Sequence, residues 1–195
     1  MSKKITGYTE TTPKSLTTGA AVIYKNFDLA TDTVETAAAK VISATSGGVS
    51  VGIEIDSWYR EIDGLPENSK GMFEVEGYKP TVTATLAEVN SADVLASALG
   101  AAAVSDAESP TGYKLVQPKH SVEASDYLQN ITAITQTKQG EPLIIQIINP
   151  LSTEGFEIGT EHKAGGGMEV TFTGFYDPLK LDEAPVKFYV PTPTE

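Results

Sequence analysis

Residues 44–64, ATSGGVSVGIEIDSWYREIDG, alternate apolar and polar side chains with a period of two. The apolar set is Val49, Val51, Ile53 and Ile55, and the polar set is Ser50, Gly52, Glu54 and Asp56. This period predicts a strand with one buried face and one solvated face. The solvated face is acidic, and a second acidic strand, MFEVEG, follows after a loop that contains Gly, Pro and Asn.

Further strand patterns recur along the chain, in AAVIYKNF, GYKPTVTATLAEV, DYLQNITAITQT, EPLIIQIINP, MEVTFTGFYDP and PVKFYVPTPTE. Pro80 suits the start or the edge of its strand because it lacks an N–H group. The turns KQGE and KAGGG predict two hairpins. The Ile-rich strand at 143–148 is expected to be buried on both sides, or covered by a helix on one.

One helix is predicted, in NSADVLASALG. Ser91 can cap its start, Asp93 lies in its first turn and Gly100 ends it. A linker of small residues, AAAVSDAESPTG, follows. Several short strands and one short helix predict a mainly β fold, an antiparallel β-sandwich or open barrel with one short flanking α-helix.

The chain of 195 residues is long enough for one domain with a substantial core. Residues 1–19 are predicted to form a flexible N-terminal arm, and residues 191–195 a C-terminal tail. Residues 20–190 are predicted to form a single β-sandwich domain, with a mobile loop between strands at 60–71.

The charge balance excludes some partners. The 26 acidic and 14 basic residues give a formal net charge of −12. Proteins that grip nucleic acid or anionic membranes usually present Lys and Arg to phosphate, so this chain is not expected to do so. The absence of cysteine excludes disulfides and thiolate metal sites. Without a signal peptide or a long apolar run, we expect a chain made in the cytoplasm that does not insert into membranes.

No residue pattern predicts catalysis. His120 and His162 are too far apart in sequence to form a zinc motif, and nucleophile-elbow and phosphate-loop motifs are missing. Glu54 and Asp56 could form a glycosidase pair, but neighbouring carboxylates on a strand are more often a solvated face. We therefore expect no catalytic residues, no cofactor and no metal.

Trp58, Tyr59 and Arg60 interrupt the acidic alternation. Aromatic residues beside Arg are typical of interface hot spots, although Trp58 or Tyr59 could instead cap the core of the sandwich. With Asp63 and Lys70 of the following loop, these three residues are our candidates for contacts between subunits.

Four blocks of the sequence resemble the major tail tube proteins of long-tailed bacteriophages, the siphophages, and particularly those that infect Gram-positive bacteria. The blocks are ATSGGVSVGIEIDSWYREIDG, KGMFEVEGYKPTVTATLAEV, ASDYLQNITAITQTKQGEPLIIQIINPLSTEGFEIGTEHK and MEVTFTGFYDP. They run in the family's order from about Ser43 to about Pro178, and residues 1–19 and 179–195 have no clear match.

The resemblance implies a structural virion protein that assembles as hexameric rings, which stack into the hollow tube that delivers the genome to the host. It implies a homo-oligomer with tail tip, tape measure and tail terminator proteins as partners. Double-stranded DNA would pass through without specific binding. The protein would reside in the virion tail after synthesis and assembly in the host bacterial cytoplasm.

An acidic lumen would repel DNA phosphates weakly and let the genome slide, whereas a basic wall would hold it. The candidates for this wall are Glu54, Asp56, Glu74 and Glu76. The neutral face of Thr81, Thr83 and Thr85 would continue it.

Two other functions remain open. A β-sandwich adhesin or carbohydrate-binding module would group aromatic residues on one exposed face, yet Trp58 is the only tryptophan and the tyrosines are scattered. A hydrolase would use Glu54 or Asp56. Within the tail-tube class, a sheathed or bacteriocin-like tube is also compatible with the sequence.

Overall fold

A computed structural model describes residues 8–9, 12, 16–89, 91–106, 109–161 and 164–191. Its strands are β1 (Thr17–Lys25), β2 (Thr45–Tyr59), β3 (Phe73–Leu86), β4 (Ala102–Ser105), β5 (Leu115–Pro118), β6 (Asn130–Thr137), β7 (Pro142–Ile148), β8 (Leu151–Glu161), β9 (Ala164–Thr173) and β10 (Val186–Tyr189). The helix α1 (Ala92–Leu99) lies between β3 and β4, and short 3₁₀ turns occupy Ala38–Lys40 and Ala124–Asp126.

The strands form two four-stranded sheets and a small hairpin. The first sheet has the order β1-β6-β7-β10, the second has the order β2-β3-β9-β8, and β4 pairs with β5. Every pairing is antiparallel. The predicted mainly β fold, an antiparallel sandwich with one short helix, is confirmed, and neither sheet closes into a barrel within the described residues.

The main core lies between the two large sheets and extends to α1. The side chains at its centre are at most 1% exposed: Ile23, Val82, Leu86, Ile131, Ile147, Met168, Val170 and Phe172. They come from β1, β6 and β7 of the first sheet and from β3 and β9 of the second. Burial of large apolar side chains, each of which contributes about 1.5–3 kcal/mol, therefore holds the two sheets together.

The helix forms where the sequence predicts it. At the N-terminus of the helix, Ser91 has an extended backbone, but in the described structure its side chain makes no capping hydrogen bond. Asp93 lies in the first turn. Val94 and Ala98 enter the core. Gly100 ends the helix with φ of 75°, and a Cβ there would lie 2.3 Å from the carbonyl oxygen of Ser152. Only glycine fits this contact without displacement.

The outer face of the first sheet is covered by the connection between β1 and β2. Tyr24, Phe27, Ala37 and Ile134 form a second buried cluster there. The Gln146 side chain, in the middle of β7, donates hydrogen bonds to the carbonyl oxygen of Phe27 and to Thr132 Oγ1, both at 3.1 Å. The β7 strand is thus covered on both sides as expected. This connection, and not the helix, provides the second cover, because α1 packs against β8, β5 and β4.

Three segments differ from the sequence predictions. Part of the predicted linker after the helix forms β4, because Ala102–Ser105 pairs with β5, a strand that comes later in the sequence. MFEVEG and GYKPTVTATLAEV form the single strand β3. Residues 17–19 of the predicted N-terminal arm belong to β1, where Thr17 pairs with Thr137. Most of the remaining arm, and residues 192–195 of the predicted tail, lie outside the described residues.

Pro80 lies in the middle of β3, at the point where the strand loses its second neighbour. The β9 strand pairs with Thr81–Leu86 only, and the Gly174 N–H donates to the Pro80 carbonyl oxygen at 2.9 Å. A residue's N–H and C=O point to the same edge of a strand, so the N–H that Pro80 lacks would face Gly174, the residue that follows the end of β9 at Thr173. The strand can therefore include Pro80 without losing a ladder hydrogen bond to β9.

Candidate functional site

The β2–β3 hairpin is longer than the sandwich that supports it. Its register runs from Thr45↔Leu86 to Tyr59↔Phe73. We call residues 45–52 and 81–86 the inner hairpin, because β9 pairs with it. Residues 53–59 and 73–79, which pair only with each other among the described residues, are the outer hairpin. With seven residues in each strand, the outer hairpin extends about 20 Å beyond the part of β3 that pairs with β9.

One face of the outer hairpin continues the core-facing side of the sheet. On the inner hairpin, Val51 pairs with the fully buried Val82. The same parity continues outward as Ile53, Ile55, Tyr59, Phe73, Val75 and Tyr78, which we call the apolar face. These six side chains are between 37% and 53% exposed. The rings of Tyr59 and Phe73 meet edge to face at 5.3 Å.

The sequence therefore predicts the faces of β2 correctly but overestimates their burial. Val49 and Val51 are half-buried against the core, whereas Ile53 and Ile55 are exposed. The physical reason is that, among the described residues, the main core cluster includes no side chain of the outer hairpin. Alternation specifies which side chains share a face, but it does not specify what covers them.

The opposite face of the outer hairpin carries charges. Glu54, Asp56 and Glu74 lie on it with Trp58 and Lys79, and we call it the polar face. Arg60 donates to Glu74 at 2.8 Å, and its guanidinium lies 5.7 Å from the centroid of the Trp58 ring. Lys79 Nζ is 3.8 Å from a Glu54 carboxylate oxygen. Both cations on this surface are thus paired with carboxylates of the same surface.

The polar face extends across the whole second sheet. Thr83 Oγ1 and Thr171 Oγ1 are 3.0 Å apart on neighbouring strands. Glu169 lies opposite Thr85 on one side and opposite Glu157 on the other. Hydroxyls and carboxylates therefore form a continuous surface over four strands. Like charges directly opposite each other destabilise a sheet, so the pair of Glu157 and Glu169 has a small cost in folding free energy.

Sequence reasoning missed Glu157 and Glu169 as parts of this surface. The signal was present in MEVTFT, where Met168, Val170 and Phe172 alternate with Glu169, Thr171 and Thr173. The apolar set of this alternation is buried in the core. Its polar set is the same mixture of Thr and Glu that is found on β3.

Of the four predicted lumen residues, three share the polar face: Glu54, Asp56 and Glu74. Glu76 lies in a β-bulge, because the pairing passes from Asp56↔Gly77 to Ser57↔Val75. The bulge leaves Glu76 without a cross-strand partner in the register, so alternation does not assign its face.

The predicted contact residues separate into three places. Trp58 and Arg60 lie on the polar face and Tyr59 lies on the apolar face. Asp63 and Lys70 lie in the connection at the tip of the hairpin. Trp58 is 42% and Tyr59 is 46% exposed, so the alternative that either caps the sandwich core is wrong.

The tip of the hairpin, residues 60–72, is a folded loop. The backbone N–H of Arg60 donates to Met72 O at 2.8 Å, and Ser69 Oγ donates to Pro66 O at 2.7 Å. The loop surrounds a pocket of about 570 Å³ lined by its own residues, including Ile62, Asp63 and Leu65. Exposed apolar and acidic side chains are thus mixed at the tip.

A second concavity, of about 500 Å³, lies beside the sandwich. Tyr127, Phe175 and Tyr176 line it together with Asn149 and Asp177. The rings of Tyr127 and Phe175 meet edge to face at 5.4 Å. This pocket is the aromatic grouping that scattered tyrosines in the sequence did not reveal.

Two ion pairs of the sandwich perturb the pKa values of their members. Lys119 Nζ donates to Asp126 Oδ1 at 2.6 Å, which lowers the pKa of Asp126 and raises the pKa of Lys119. Lys25 likewise donates to Asp93 at 2.8 Å and lowers the pKa of that carboxyl. Charge-assisted hydrogen bonds of this kind stabilise the ionised carboxylate.

The described residues contain no cluster of three or more His, Asp or Glu side chains that could hold a metal ion. His120 is exposed, and His162 lies outside the described residues. Within the described part of the chain, no helix has the length and apolar character needed to cross a membrane.

The chain matches no protein-family model and no curated protein sequence. Among solved structures, it is similar to a chain from the virion of a native gene transfer agent (GTA) particle, with 12% sequence identity and a TM-score of 0.39. The match covers 87% of this chain and 95% of that chain.

Proposed function

We propose that this chain is a non-catalytic structural subunit of a phage virion, which polymerises as stacked hexameric rings into the hollow tail tube. The observation that carries the proposal is the outer hairpin. Its apolar face continues a sandwich core that the monomer does not complete, while its opposite face is acidic. A surface of this kind needs a neighbour on one side and water on the other.

The energetics support assembly through the apolar face. Its six large side chains are about half exposed. Covering them would contribute on the order of 5 kcal/mol, since full burial of one such side chain contributes about 1.5–3 kcal/mol. That gain is repeated in every subunit of a polymer and would offset part of the entropy lost on association.

The polar face supports the role of a lumen wall. Lys79 and Arg60 are paired with Glu54 and Glu74, and further carboxylates come from Asp56, Glu157 and Glu169. The surface therefore keeps a net negative charge, which weakly repels DNA phosphates and gives the genome no site to hold. Double-stranded DNA would pass without specific binding.

The sheet edges support ring formation. Among the described residues β2 and β8 are the outermost strands of the second sheet. Joining the β2 edge of one copy to the β8 edge of the next would extend the sheet around a ring, and closure would remove the exposed edges. Stacked rings then form a filament, whose ends would meet tail tip and tail terminator proteins around a tape measure protein. The tube would be made in the host cytoplasm and reside in the virion tail.

Electron microscopy over a concentration series tests this proposal. We expect the purified protein to form six-fold rings or hollow tubes. Ile55→Asp, which places a carboxylate on the apolar face, should remain monomeric at ten times the concentration that assembles the wild type. Ser50→Asp is the matched control, because it adds the same charge to the polar side of the same strand.

Two results would contradict the proposal. One is a wild-type protein that stays monomeric at high concentration and with tail-tip seeds added. The other is Ile55→Asp assembling as well as Ser50→Asp does. Equal melting temperatures of the two variants would show that any loss of assembly is not a loss of folding.

The aromatic pocket favours a second candidate, a carbohydrate-binding or adhesion module. Tyr127, Phe175 and Tyr176 offer ring surfaces, and Asn149 and Asp177 offer polar groups at the same pocket. Sugars bind to such combinations through ring stacking and hydrogen bonds. Glycan-array binding by a monomer, lost in Tyr127→Ala, would support this function over the tube.

A further inference from the structure

A tyrosine hydroxyl joins the outer hairpin to the sandwich. The backbone N–H of Tyr78 donates to Tyr176 Oη at 2.9 Å. Tyr78 belongs to the outer hairpin, whereas Tyr176 follows the end of β9 in the body of the sandwich. The bond lies beside Gly77, where an added Cβ would be 3.5 Å from the same hydroxyl.

This hydrogen bond continues the ladder between β3 and β9. The backbone N–H of Gly174 donates to the carbonyl oxygen of Pro80 at 2.9 Å, just after β9 ends at Thr173. Residues two apart on a strand present their N–H groups to the same edge. Tyr78 is the next residue outward on that edge, and a side-chain hydroxyl there replaces the backbone acceptor that β9 no longer supplies.

The segment Gly174–Tyr176, which we call the latch, is anchored firmly on its other side. Phe175 N–H donates to Ile148 O, and the Asn149 side chain donates to Phe175 O, both at 3.3 Å. The Phe175 ring packs against Tyr127. The latch is thus fixed to the end of β7 and holds the outer hairpin through one hydroxyl.

Gly174 is what brings the latch close to β3. A Cβ at this position would lie 2.6 Å from Ile147 Cγ2 and 2.9 Å from Pro80 Cγ. Both neighbours are fully buried. A residue with a side chain would push the latch away from the hairpin, so glycine sets the distance over which Tyr176 reaches Tyr78.

We propose that Tyr176 is a positioning residue for assembly, whose hydroxyl fixes the orientation of the outer hairpin in the free monomer. The part that concerns assembly rests on the proposed function. A two-stranded ribbon without a third strand bends and twists readily, so its orientation needs an external hold. If only a fraction of monomers present the hairpin correctly, the apparent affinity for the neighbour falls by that fraction.

Tyr176→Phe tests this inference, because it removes the hydroxyl and keeps the ring in its pocket. Tyr127→Phe is the matched control, since it removes a hydroxyl from the same pocket without a hydrogen bond to the hairpin. Amide exchange of the monomer, measured at low concentration, reports the latch itself. We expect Tyr176→Phe to accelerate exchange at Tyr78 roughly three- to ten-fold, the effect of one lost hydrogen bond.

The second measurement is the lowest concentration that yields tubes. We expect it to rise several-fold in Tyr176→Phe with an unchanged melting temperature, and to stay at the wild-type value in Tyr127→Phe. Unchanged exchange at Tyr78 would overturn the latch. Faster exchange with an unchanged tube threshold would overturn its role in assembly. A wild type that forms no tubes would refute the proposed function, while the exchange experiment would still decide whether the latch holds the hairpin.

Discussion

The inner and outer hairpins are two halves of the same two strands, and they have opposite relations to the core. Both halves alternate apolar and polar residues, although the bulge at Glu76 interrupts the alternation of β3 in the outer half. In the inner half, Val82 and Leu86 are fully buried beneath the first sheet, whereas Ile55 in the outer half is 53% exposed. The difference lies in the partners of the strands, since β9 pairs with Thr81–Leu86 only and the main core cluster includes no residue of the outer half.

This difference separates folding from association. Apolar side chains of the inner hairpin stabilise the monomer, because they leave water when the chain folds. Those of the outer hairpin remain about half exposed in the monomer, and the exposed half leaves water only when another molecule covers it, so they contribute less to the stability of the monomer. Substitutions in the two halves should therefore change different measurements.

The largest effect on folding is expected from Leu86→Ala in the inner hairpin. Truncating a fully buried Leu should lower the free energy of unfolding by about 3 kcal/mol, because it removes buried surface and leaves a cavity. Ile55→Ala in the outer hairpin should cost less than about 1 kcal/mol. Urea unfolding of both variants measures this, and equal losses would break the distinction between the two halves.

Gly174→Ala tests the boundary between the halves. The added Cβ would press on Ile147 and Pro80, so we expect a loss of about 2 kcal/mol by overpacking. Gly159→Ala on β8 is the matched control, because a Cβ there meets no atom within 4 Å. Thermal unfolding compares them. A stable Gly174→Ala variant would show that the latch can move without strain.

Acid should weaken the sandwich through its ion pairs. The pKa of Asp126, whose side chain is 9% exposed, is lowered by Lys119 and by the Glu123 backbone. Its stabilising contribution is therefore present above the ordinary Asp pKa of about 3.9 and is lost as the pH falls through the lowered value. Asp126→Asn should lose less stability than the wild type between pH 7 and pH 3 in urea titrations.

Glu54→Gln on the outer hairpin is the control for the acid experiment. Glu54 faces Lys79 at 3.8 Å between two well-exposed side chains, and exposed pairs contribute little. We expect its pH dependence to match that of the wild type. An equal change in both variants would place the acid response in the hairpin as well as in the sandwich.

The smallest effect concerns the polar face. Glu157→Gln should raise the free energy of unfolding by about 0.3 kcal/mol, because it removes the repulsion from Glu169 on the neighbouring strand. The double variant with Glu169→Gln should gain no more than the single variant does. A double-mutant cycle by urea unfolding checks the pair, and fully additive gains would mean that the two carboxylates do not interact.

Local patterns were sufficient to predict most of the fold. Alternation located the long strands, KQGE located the β6–β7 hairpin, and Gly100 located the end of the helix. The strand β4 was missed, because Ala102–Ser105 has a weak pattern and depends on a partner found later in the chain. Burial of a strand by a distant segment, as in the cover over Gln146, is likewise not encoded locally.

The sequence was sufficient to predict which residues of the candidate site share a face, but not how far the hairpin extends beyond the sandwich. Glu54, Asp56 and Glu74 share one face, as the alternation of β2 and β3 predicts. Alternation does not predict the face of Glu76, because the bulge adds one residue to β3 and shifts the cross-strand register. The reach of the hairpin beyond the sandwich depends on where β9 ends, which the sequence of the hairpin itself does not contain.

The two edges of the outer hairpin differ in their capacity to accept another strand. On the β3 edge, Pro80 offers no N–H, the Pro80 carbonyl and the Tyr78 N–H are already engaged, and Glu76 is displaced by the bulge. The β2 edge has no second strand in the described structure. A strand added to the hairpin would therefore find free backbone groups along β2, whereas the β3 edge is interrupted at Glu76, Tyr78 and Pro80. The hairpin thus presents unequal edges, and its capacity to extend a sheet lies mainly on β2.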